Sequence, residues 1–160
     1  MSLKQHEPPP HNKSWQSHQR QILKSVFTVA VECTSWAVAE VKTDKGTDAI
    51  VSVDGTWHRR GFSSENGAVA VLSVNGPNSK VTDTVTLSND CDACAKGKKR
   101  LGADAFEHWY IKYCADKKCA KNHIGSAGSM EPEGAETIFC HSEEQHGLWY
   151  TQYLGDSDNK

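Results

Sequence analysis

No run of apolar residues in these 160 approaches the length of a membrane span, and Met1 to Pro10 has no apolar signal-peptide core. Neither a membrane protein nor a secreted one is expected, and the chain reads as intracellular. Charge of one sign is lacking too: 18 Lys+Arg against 20 Asp+Glu leave a formal charge of -2 and a pI near 6.4. Without an overall basic field, a freestanding, tight nucleic-acid binder is disfavoured, although local basic patches can still act. Apolar residues are scarce at 37%, so a polar tail or insert is expected beside a single core. No internal repeat is visible. Without a secretory signal, the six cysteines read as metal ligands or packed thiols before they read as three disulfides.

What is present is ordered along the chain. Residues 1–14, with Pro8-Pro9-Pro10 among polar neighbours, cannot bury enough apolar surface to offset chain entropy and are expected to be a disordered arm. Over 15–44, Leu23, Phe27, Ala30, Ala37 and Val41 recur near a helical period. The β-branched run Val26 to Val31 pulls toward strand, but helix is the better reading. Residues 49–54 are apolar on both faces, as in a covered strand, and Gly67 to Val74 is a second apolar run, ended by the turn signal Asn75-Gly76-Pro77-Asn78. Val81, Val85 and Leu87 alternate with threonines, which predicts an outer, half-exposed strand. Residues 89–124 break this pattern and read as an insertion. A helix follows, with Ser129 as N-cap, Pro132 in the first turn, an inner stripe of Ala135, Ile138, Phe139 and Ser142, and Gly147 at C′. Leu148 to Leu154 is the fourth strand. A right-handed crossover through that helix would lay strand four parallel to strand one.

Asp54 and Asp156 stand toward the carboxyl ends of strands one and four, so these strands, if adjacent, can bring two carboxylates to shared divalent cations. Phosphodiester cleavage needs an activated nucleophile, a stabilised leaving oxygen and neutralised charge, which two ions of Mg²⁺ or Mn²⁺ on carboxylates supply. Asp158 can assist Asp156. The plainer reading of an Asp before Gly is a turn residue.

Cys91-x-x-Cys94 and Cys114-x₄-Cys119 have the spacing of a closed, structural Zn²⁺ site, with His123 in reserve. Between the pairs, Lys96, Lys98, Lys99 and Arg100 are candidate DNA contacts, or else a solvated loop. Trp109, Tyr110 and Tyr113 fit better as a cover for the zinc lobe than as a platform for bases.

Asp54-Gly55-Thr56-Trp57 with Arg60-Gly61, Ser64 and Gly67 resembles the opening motif of the Mutator-like transposase domain. The resemblance continues through Asn122, Gly125-Ser126, Gly128, Met130-Glu131 and Glu133-Gly134-Ala135 to His146-Gly147-Leu148, Tyr150-Thr151 and Gly155-Asp156, and covers residues 45–160. It implies a ribonuclease-H-like α/β core with a mixed sheet, here incomplete, carrying a zinc-knuckle insertion and an N-terminal helix. It implies DNA as partner, both transposon ends and target, with Arg60 among the residues near it, and allows a homo-oligomer. With no membrane and a DNA substrate, the nucleus is the expected location. The family uses three acids, of which Asp54 and Asp156 look like the first two. The third is expected beyond Lys160, so DNA cleavage and strand transfer by this chain alone are not expected. Where the family has Gly-Asp-Gly-Asp-Ser, this chain has Gly155-Asp156-Ser157-Asp158-Asn159, and where it often has His as a metal ligand, this chain has Cys114. The alternative is a zinc-stabilised DNA- or protein-binding module derived from a transposase, without catalysis.

Overall fold

A computed structural model describes residues 12–59, 63–74 and 79–155. The disordered arm expected at 1–14 therefore lies largely outside the described residues, as do the turn at 75–78, Arg60, Asp156 and Asp158. Asn12, Lys13 and Ser14, expected in that arm, are helical.

Helix α1 spans Asn12–Lys45 and contains neither Gly nor Pro to interrupt it. The run Val26 to Val31 stays helical, and Thr28, Thr34 and Ser35 donate their hydroxyls to carbonyls four residues back. Gly46, at φ +72°, ends the helix, its N–H bonding the Lys42 carbonyl. Only the last turns are buried, through Ala37, Val38 and Val41; Leu23, Phe27 and Trp36 are about 70% exposed. Lys80 pairs with Glu40 and ties this end to the sheet. The expectation of short apolar stretches needs correcting here. Ser14–Lys42 has the length and composition of a membrane-crossing helix, with a mean hydropathy of 1.4 in its most apolar window.

Strands β1 (Asp48–Trp57), β2 (Asn66–Ser73), β3 (Lys80–Ser88) and β4 (Trp149–Tyr153) form one mixed sheet in the order β3-β2-β1-β4. The first three are an antiparallel meander, and β4 lies parallel to β1, as the crossover rule predicts. The alternation read in β3 breaks at a bulge: Val71 pairs with Asp83 and Leu72 with Val81, leaving Thr82 extra. Val81 is consequently exposed while Thr82 and Asp83 are buried.

The crossover is made by α4 (Ala127–His146), which lies on the sheet at Gly134. A Cβ there would stand 2.5 Å from Val69 Cγ2, so glycine sets the depth of the contact. The buried stripe runs through Ala127, Met130, Gly134, Ile138 and Ser142, whereas Ala135 and Phe139, expected in it, are only half-buried. With Val51, Val69, Val71 and Leu148 it closes the core. The helix starts earlier than expected. Ser126 holds the N-cap position, Ser129 lies inside the helix with its hydroxyl donating to the Ser126 carbonyl (2.9 Å), and Pro132 lies inside as well. Gly147 adopts φ +58° at the C-terminal end, as expected.

The region read as an insertion folds as α2 (Asp92–Arg100) and α3 (Ala103–Ala115). Buried Gly97 faces Trp109, whose ring would lie 2.8 Å from an added Cβ, so the two helices meet closely at that point. Trp109 stacks on Tyr113 at 4.6 Å and leans on Phe106.

Candidate acidic and thiolate sites

Asp54 sits within β1, opposite Ala70 of β2, rather than at the strand's end. Its neighbours fix which way it faces. Gly55 lies against the Glu131 carboxylate of α4, and the Trp57 indole N–H donates to the Ala127 carbonyl at 2.9 Å. Side chains alternate along a strand, so Asp54 belongs to the face turned away from α4, where it is exposed. Beside it, β4 hydrogen-bonds to β1 as far as Leu154, whose N–H donates to the Val51 carbonyl at 2.8 Å. Asp54 is thus one carboxylate on an open strand face. Its expected partners Asp156 and Asp158 lie outside the described residues.

The cysteine cluster is built at a helix start. Cys91 occupies the N-cap position of α2, Cys94 follows in its first turn, and Cys119 returns on the segment after α3. The three sulfurs lie within 4.8 Å of one another, with Cys94 and Cys119 at 3.5 Å. Burial pushes the Cys91 thiol up, but hydrogen bonds from the backbone of Ala120 and Cys94 and from the thiols of Cys94 and Cys119 outweigh it and bring the pKa to about 7. Burial and then the neighbouring Cys91 and Cys119 push Cys94 up to about 12, and burial also raises Cys119. One thiolate therefore forms readily and opposes the next. A cation placed among them removes that opposition, which is how thiolate clusters come to favour metal.

Cys114, expected as the fourth ligand, neighbours Cys119 but stands outside the three-sulfur group, and its sulfur accepts a hydrogen bond from Tyr110. His123, expected in reserve, is directed elsewhere. It is 1% exposed, with Nδ1 at 2.6 Å from the Glu133 carboxylate and Nε2 near the Ser126 carbonyl and the Ser129 hydroxyl, both at 3.2 Å. Through these contacts His123 braces the start of α4, which begins a turn before Ser129. Lys96, Lys98, Lys99 and Arg100 are exposed along the end of α2, Lys96 paired with Asp92. Sequence reasoning missed a third grouping, Asp83 with His141 and His146. The two histidines near a helix end were its only trace in the sequence, because the bulge that turns Asp83 inward leaves no pattern.

A family model described as Mutator-like transposase matches residues 6–160. No curated protein and no solved structure gives a significant match.

Proposed function

The chain belongs to the Mutator-like transposase family, and from that premise we propose that it carries two of the acids of a ribonuclease-H-like, DDE-type core, of the kind that in the intact family performs metal-dependent DNA cleavage and strand transfer. One observation carries the reading. Val51 pairs with Tyr153 in the parallel β1–β4 register, and three residues on from each stand Asp54 and Asp156. Register of that kind is what two strand carboxylates need in order to share cations.

In this reading Asp54 and Asp156 hold Mg²⁺ or Mn²⁺, with Asp158 assisting Asp156. Carboxylate oxygens suit these hard ions. Bound there, the ions would activate the attacking oxygen and stabilise the leaving one. Asp54 suits this task because its face is left bare by α4, so that a DNA strand can approach it. The cysteine lobe has a separate role: Cys91, Cys94 and Cys119, with Cys114 completing the set, hold a structural Zn²⁺. Lys98, Lys99 and Arg100, with Lys96 and Arg60, would contact DNA phosphates, and the nucleus is the corresponding location. Burial of Ala37, Val38 and Val41 on the sheet supports α1 as a packing helix and not a membrane span.

The exposed basic end of α2 favours one other reading, a zinc-stabilised DNA- or protein-binding module without catalysis. Titration with Mn²⁺, which thiolates bind poorly, separates the two. The catalytic reading expects Asp54→Asn and Asp156→Asn each to weaken Mn²⁺ binding at least about tenfold while DNA binding persists, since removing one of two carboxylates loses more than about 1.4 kcal/mol. Unchanged Mn²⁺ affinity in both variants would leave only the binding module.

A further inference from the structure

We propose that Asp83, His141 and His146 form a second metal site, distinct from both the acids and the cysteines, which takes Zn²⁺ or a similar borderline divalent ion and pins the end of α4 to β3. The three donor atoms lie within 4.8 Å of one another. Asp83 Oδ2 stands 2.7 Å from His141 Nε2 and 2.9 Å from His146 Nε2. Its other oxygen accepts the Thr84 N–H at 2.7 Å, which holds the carboxylate in place. All three side chains are largely shielded, at 9%, 20% and 17% exposure.

A simple hydrogen-bonded clasp accounts for only part of this geometry. His141 Nε2 makes a hydrogen bond to Asp83, but His146 Nε2, buried and close to the same oxygen, is not directed to bond it and has no hydrogen-bond partner among the described residues. A buried imidazole nitrogen without a partner is costly, and a metal ion would satisfy it. Ligands of a tetrahedral zinc ion at bonds of about 2.0 Å stand roughly 3.3 Å apart, so widening the cluster by a few tenths of an ångström would admit the ion. Two imidazoles and one carboxylate suit Zn²⁺ better than Mg²⁺. The surroundings help as well. The site lies at the negative end of the α4 dipole, which favours a cation there. The bulge at Thr82 is what turns Asp83 toward α4.

Cobalt substitution tests this on the full chain. Co²⁺ at thiolates gives a near-ultraviolet charge-transfer band, whereas Co²⁺ on imidazole and carboxylate gives only visible bands, so each site reports separately. His146→Ala and Asp83→Asn should each lose about one equivalent of cobalt and its visible bands, with the charge-transfer band unchanged. His141→Gln, a milder change, should do the same and decides the matter if either other variant fails to fold. Full cobalt content in a folded variant, or cobalt bound with the thiolate band alone, would reduce the cluster to an ion-pair clasp and overturn the proposal.

Discussion

At Gly134 the absence of a Cβ decides how closely α4 lies on β2. Alanine there would press on Val69 from 2.5 Å, too close for a side-chain shift alone to relieve. Gly134→Ala should therefore destabilise the fold by about 1–3 kcal/mol despite alanine's better helix propensity, read as a lower midpoint in thermal or denaturant unfolding. Cys91 offers a second test at this scale. Its pKa falls from 9.0 to about 7 in the folded, metal-free chain, so its contribution to stability is full above pH 9 and is lost as pH falls through about 7. Cys94 has the opposite sign: its contribution is full below pH 9 and fades as pH rises toward about 12. Titration of thiolate ultraviolet absorbance in metal-free protein should show a step near pH 7 that Cys91→Ser removes and Cys94→Ser does not abolish.

Among the elements, those fixed by local pattern could be read in advance. The apolar run of β1, the helix end at Gly147 and the crossover placing β4 beside β1 follow from composition, glycine conformation and chain handedness. What depends on tertiary contacts could not be read. The early start of α4 rests on buried His123 and its bond to Glu133, and the exposure of Val81 rests on a bulge with no sequence signal. The pairing of α2 with α3 hangs on Gly97 against Trp109, a contact between residues twelve apart that spacing alone does not reveal. Neither helix buries much apolar surface, and α3 has no buried residue at all, so the proposed zinc site would be what holds the lobe together. Removing zinc with a chelator should raise amide exchange across Asp92–Ala115 by at least about tenfold, while β1 and β2 stay protected. Equal protection with and without chelator would mean that the lobe stands without metal.

Over the molecule as a whole, the two faces of the sheet are divided. Helix α4 covers one with a glycine-seated core contact, and Asp54 opens on the other, near the end of β1's pairing with β4. The sequence foretold that β1 and β4 lie side by side, and the proposal that Asp54 and Asp156 share a cation turns on the distance between their carboxylate oxygens. Diffraction from Mn²⁺-soaked crystals at the manganese edge measures this directly. An anomalous peak about 2.1 Å from carboxylate oxygens of both Asp54 and Asp156 is the predicted result. Manganese bound by neither residue, with the two carboxylates too far apart to touch one ion, would contradict the account.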